Sequence, residues 1–125
     1  YISLIEELYG NQADVIFENG QNSNIQANGN IVVTARGCYQ TNLLAKNSIL
    51  FEKPSSIVRG GLLIARKYIK LGIVGAPSGI STYCRVIDKD GRIDARYYYN
   101  NTVLNVNDRI TVIEANTYDK KVDRK

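Results

Sequence analysis

Apolar residues recur along this chain in four sets of one spacing, at offsets 0, +2, +6 and +8. The sets are Ile25, Ala27, Ile31, Val33; Leu43, Ala45, Ile49, Phe51; Leu63, Ala65, Ile69, Leu71; and Leu104, Val106, Ile110, Val112. Each set is two runs of strand period, in which alternate side chains share a face. A polar break separates the two runs: Asn28-Gly29-Asn30, Lys46-Asn47-Ser48, Arg66-Lys67-Tyr68 and Asn107-Asp108-Arg109. The alternation cannot continue through such a break, so the chain bends there. Asn and Gly accept left-handed backbone at little cost, which suits a sharp bend. The sets begin 18, 20 and 41 residues apart. A period near 20 residues marks a stacked architecture, in which each unit buries its apolar face only against its neighbours.

The pattern predicts an all-β fold, a single-stranded right-handed parallel β-helix (β-solenoid) with coils of about 20 residues. The handedness follows the general preference of parallel crossovers. An antiparallel sandwich of short strands is the alternative, because it too shows closely spaced turns. The fourfold recurrence favours the solenoid. The small residue at +2 (Ala27, Ala45, Ala65) marks a narrow corner, relaxed at Val106. Val15 and Phe17 fit the later half of a partial earlier coil, and Ile57-Val58-Arg59 reads as a short strand between two corners. Gly72–Gly79 reads as an irregular loop. Asp88-Lys89-Asp90-Gly91 lies between strand-like runs, a strong hairpin signal. A β-hairpin extension is therefore expected near residues 82–98. The expected organisation is an N-terminal cap or the end of a preceding coil over 1–14, the solenoid over 15–116, and a charged C-terminal tail over 117–125.

Composition narrows the chemistry. The chain has 125 residues, 44% of them hydrophobic, enough for one domain with a core. No apolar run approaches the ~20 residues that span a bilayer. Tyr1–Gly10 lacks a basic start and holds Glu6 and Glu7, so it does not read as a signal peptide. The chain does not begin with Met and is expected to be a piece of a longer polypeptide. Cys38 and Cys84 fall in strand-like runs and are expected as buried free thiols, which fits a reducing, cytoplasmic setting. The net charge of +4 owes much to the basic C-terminal tail. Mixed charge elsewhere argues against a continuous nucleic-acid groove.

The chain contains no His, which removes the usual catalytic base and, with only two Cys, the usual zinc ligands. No Gly-x-Ser-x-Gly or Walker pattern is present, and glycines at 60, 61, 75 and 79 have a simpler use as corners. Asp88, Asp90 and Asp94 could suggest a calcium loop, which needs oxygens converging at a set spacing, but Lys89 and Arg92 intervene and a solvated hairpin turn explains the same residues. No catalytic residue, metal site, cofactor or small-molecule substrate is expected. Four residues stand out as partner-binding candidates: Arg59, Tyr97, Tyr98 and Tyr99. Arg and Tyr anchor interfaces. The favoured reading of Arg59 pairs it with a carboxylate across coils; the other projects it toward an acidic partner. In an alternating strand Tyr98 faces opposite to Tyr97 and Tyr99. The expected structural corners are Gly29, Gly60, Gly61, Gly75, Pro77 and Gly79.

Several of these pieces occur together in one family. Gly37-Cys38-Tyr39, Leu43-x-Ala45, Ser56-Ile57-Val58-Arg59-Gly60-Gly61, Gly72–Gly79 and Thr82 resemble the C-terminal β-solenoid domain of the bacterial flagellar assembly protein A family. The resemblance runs from Val15 to Val112. It implies a cytoplasmic right-handed β-helix within a larger bacterial protein, associated with flagellar assembly or placement, and brings no catalytic residues. Similar coils in the C-terminal domain of the septum-site protein MinC and in bactofilins imply self-association. The expected function is a non-enzymatic scaffold or protein-interaction module; the alternatives are a self-association module and, more weakly, a carbohydrate-active or ligand-binding β-helix. The expected partner is another protein or a second copy.

Overall fold

A computed structural model describes residues 14–123. The expected N-terminal cap lies, but for its last residue, outside the described residues. Strands follow one another along the chain as β1 (Val15–Gln21), β2 (Asn24–Ala27), β3 (Ile31–Tyr39), β4 (Asn42–Ala45), β5 (Ser48–Phe51), β6 (Ile57–Arg59) and β7 (Leu62–Ala65). Then come β8 (Tyr68–Val74), β9 (Thr82–Val86), β10 (Arg92–Tyr98), β11 (Thr102–Val106), β12 (Arg109–Ile113) and β13 (Thr117–Asp123). No helix occurs among the described residues.

The strands form two sheets. Sheet A runs in the order β1-β3-β5-β8-β10-β13, with β6 beside β3 and β8. Sheet B runs in the order β12-β11-β9-β7-β4-β2. The chain crosses from one sheet to the other and returns one strand further on, so neighbouring strands pair in parallel except at the C-terminal end. This is a β-solenoid of about five coils.

The repeat places like residues in ladders. Ile25, Leu43, Leu63, Cys84 and Leu104 are in register, as are Ala27, Ala45, Ala65, Val86 and Val106. Opposite them stand Val15, Ile31, Ile49, Ile69 and Ile93. Apart from Val15 and Ile25 at the first coil, these side chains are buried in one continuous core. Burial of a large aliphatic side chain contributes roughly 1.5–3 kcal/mol, so the ladders carry the stability of the stack. A further ladder, Gly20, Cys38, Val58, Val74 and Tyr98, closes the core where sheet A bends. Both cysteines are free and buried. Burial pushes the Cys38 thiol up to about 11 and the Cys84 thiol up to about 12.

Four expectations need correction. The first is the hairpin over 82–98. β9 belongs to sheet B and β10 to sheet A, so Asp88-Lys89-Asp90-Gly91 is a corner between sheets. No residue there has a positive φ, which a tight two-residue hairpin requires. The second is the last repeat, where the hairpin actually lies. Leu104 and Val106 keep their core places, but β12 folds back antiparallel on β11. Asn107 and Asp108 at its turn have φ of 48° and 70°. Ile110 and Val112 therefore leave the core positions that Ile31 and Val33 hold, and lie on the outer face. The third is the tail: Thr117–Asp123 forms a strand, pairing antiparallel with β10, with Val122 buried opposite Ile93. Gly72 also differs from expectation, since β8 runs through it and the loop begins at Gly75.

Candidate functional site

The outer wall of sheet A carries a group of exposed aromatic and basic side chains. Strand alternation turns residues 57, 59, 73 and 97 outward, while their neighbours Val58, Val74 and Tyr98 are buried. Register then aligns them. Ile57, Ile73, Tyr97 and Tyr118 form one row across four strands. Gln21, Tyr39 and Arg59 form a second row. Gly75 and Tyr99 extend that row past the strand ends, with the Gly75 N–H donating to Val58 O (2.7 Å) and the Tyr99 N–H to Val74 O (2.8 Å).

Tyr97 sits at the centre of an aromatic cluster. Its ring centroid is 4.8 Å from that of Tyr99 and 4.5 Å from that of Tyr118, both edge to face. Such arrangements match the ring quadrupoles. Tyr99 lies against Gly75, whose φ is 90°, and a Cβ there would come within 3.0 Å of the Tyr99 Cβ. Tyr118 is 74% exposed and Tyr39 is 47% exposed.

Two grooves flank this wall. One, of about 460 Å³, is lined by Arg36, Tyr39, Ile57 and Arg59 together with Asn19 and Gln21. The other, of about 470 Å³, lies between Pro54, Tyr68 and Lys121, with Lys70, Asp94 and Arg96 along it. It exists because β5 stops at Phe51 and the chain bulges out through Pro54 before β6. The two grooves together carry Arg36, Arg59, Lys70, Arg96 and Lys121 against a single carboxylate, Asp94. That carboxylate is already engaged: its Oδ2 accepts the Tyr68 hydroxyl (2.8 Å) and Arg92 Nε (3.2 Å). The Arg92 guanidinium stands 4.9 Å over the Tyr68 ring. Burial, then the bond to Asp94, raises the Tyr68 phenol above its ordinary value. The wall is thus apolar and aromatic at its centre and positive at its margins.

The sequence candidates divide on this map. Arg59, Tyr97 and Tyr99 share the wall. Arg59 is half-buried and makes no ion pair with any described residue, so the favoured pairing with a carboxylate across coils does not form. Its Nε is buried without a hydrogen-bond partner among the described residues. Tyr98 points the other way and is fully buried, and burial pushes its phenol far above the usual range. The glycine corners bind coil to coil. The Gly60 N–H donates to Thr82 Oγ1 (2.9 Å), and a Cβ on Gly61, at φ 84°, would run into the Thr41 carbonyl. Gly29 has no left-handed backbone; its carbonyl accepts the Asn47 N–H (2.9 Å). Gly75, Pro77 and Gly79 turn the chain between β8 and β9, where Asn101 Nδ2 donates to the Gly79 carbonyl (3.0 Å).

Sequence reasoning missed Tyr39, Ile57, Ile73 and Tyr118. Tyr39 carried a usable signal: it stands one 20-residue repeat before Arg59, just ahead of a corner. Tyr118 lay in the supposed tail. Among the described residues no group of three or more His, Cys, Asp or Glu could hold a metal ion. No helix among them is long and apolar enough to cross a membrane. Comparison of the chain with protein-family models, curated proteins and solved structures finds no match.

Proposed function

We propose that this β-solenoid is a non-enzymatic interaction module that docks a protein partner along the outer wall of sheet A. The observation that carries the reading is the alignment of Tyr39, Arg59, Tyr97, Tyr99 and Tyr118 on one rigid face. Tyrosine offers large contact area with few rotatable bonds, and arginine offers a directional cation; both are enriched where binding energy concentrates. A stacked sheet holds them at fixed spacing, so little ordering is left to do on binding. The excess of cations along the two grooves calls for a partner with acidic residues around an apolar centre. The larger setting, a bacterial cytoplasmic protein serving flagellar assembly or placement, is the part of the proposal supported by the motif resemblance alone.

The test compares the intact chain with R59E and with a Y97A/Y118A pair in pull-downs from bacterial cytoplasm. Gln26→Ala, on the opposite sheet, serves as control. Each variant's thermal unfolding is checked first. The proposal expects a protein captured by wild type and by Q26A but lost from both wall variants. Capture that ignores the wall variants refutes it, as does substrate turnover by the isolated chain.

A further inference from the structure

The two sheets end differently at the C-terminal end of the stack. Sheet A ends in β13, which carries exposed Lys120 and Lys121 in mid-strand. Lysines on an edge discourage another strand from pairing there. Sheet B ends in β12, whose middle is Ile110-Thr111-Val112 with no charge and no proline. Ile110 is 61% exposed and Val112 is 51% exposed. Among the described residues β12 pairs only with β11, and no described strand lies along its other edge.

The direction of the open hydrogen-bonding groups follows from the turn. Asn107 and Asp108, both left-handed, form a two-residue hairpin turn of the primed type. In such a hairpin the flanking residues, Val106 and Arg109, exchange N–H and C=O groups, and bonded pairs then alternate along the ladder. Thr111 and Ile113 thus also face β11; consistently, the Asn101 N–H reaches the Ile113 carbonyl at 2.9 Å. The main-chain groups of Ile110 and Val112 face away from β11.

We infer that β12 is a pairing edge for β12 of a second copy, antiparallel about a two-fold axis through Thr111. In that register Ile110 exchanges its N–H and C=O with Val112 of the partner subunit, and the axis repeats the exchange for Val112. All four main-chain groups of Ile110 and Val112, which no described strand pairs, are then satisfied. Ile110 and Val112 from both copies then form one apolar cluster on the outer face, flanked by Val103, which is in register with Val112. A second copy fits better than an unrelated strand because Ile-Thr-Val is symmetric in character about its centre. A two-fold contact requires such self-complementarity, and β-branched cross-strand pairs support it. The contact is a single short edge, so the dimer is concentration-dependent. It uses sheet B, and its success or failure is independent of the partner-docking wall on sheet A.

Sedimentation velocity of the intact chain across roughly 1 to 500 μM tests this, a range that brackets weak, small contacts. A reversible dimer is expected. I110K, at an exposed position, leaves the melting curve unchanged and raises the dissociation constant about tenfold or more. T111C places two thiols across the axis, where Cα atoms of a non-bonded pair stand about 4.5 Å apart, within disulfide reach. Under mild oxidation it gives a covalent dimer faster than S55C, whose residue is exposed on a loop. A chain that stays monomeric throughout overturns the inference. So does a dimer that I110K leaves intact, and so does T111C crosslinking no faster than S55C.

Discussion

Removing the Tyr98 hydroxyl should stabilise the protein. Tyr98 is fully buried in the core, and its hydroxyl has no hydrogen-bond partner among the described residues. Burying an unpaired hydroxyl costs roughly 1–3 kcal/mol. Tyr98→Phe deletes that cost and keeps the ring. The void left by one oxygen is small, and cavity costs of about 24 cal/mol per Å³ make it worth only a few tenths of a kcal/mol. The net expectation is a gain of about 1–2 kcal/mol. For a domain of this size that moves the melting temperature up by roughly 4–8 °C. Urea unfolding followed by circular dichroism reads the change as a higher midpoint at unchanged slope. Tyr98→Ala should instead lose about 3–5 kcal/mol, because it empties the ring's site. A Y98F variant that is destabilised by 1 kcal/mol or more would refute the reasoning, since the hydroxyl must then be bonded in the folded state.

Other outcomes follow from the same core. Gly61→Ala should cost about 2 kcal/mol or more in urea unfolding, through its left-handed backbone and the collision with the Thr41 carbonyl; an effect under about 0.5 kcal/mol would show that the corner relaxes freely. Ellman titration at mild pH should find neither thiol reactive in the folded chain and both reactive in denaturant, as both are buried. Stability should fall as pH rises. The folded Cys84 thiol titrates at about 12, above the unfolded value of 9.0, so its contribution is intact below pH 9 and is lost as pH climbs towards 12. Within that window it removes about 1.4 kcal/mol per pH unit. C84A should flatten that part of the slope, and an unchanged slope would count against burial of the thiol.

The repeat was enough to specify the ladders. Ile, Leu and Ala at fixed offsets can all be buried only by stacking coil on coil, so the solenoid and most of its core were legible before any coordinates. Local alternation likewise set Tyr98 apart from Tyr97 and Tyr99. Tertiary structure decided what the same spacing does at each turn. Ala65 to Ile69 and Val106 to Ile110 have equal spacing, yet the first pair spans a corner between sheets and the second a hairpin within one. The difference lies in two residues: Asn107 and Asp108 adopt the left-handed backbone that reverses a strand, whereas Arg66 and Lys67 do not. Their residue types hint at this. Whether another coil follows, for the chain to cross onto, is not a local property. The same holds for the aromatic wall. Tyr39, Arg59, Tyr97 and Tyr118 come from four strands far apart in sequence, and only the register of the stacked coils brings them to one face.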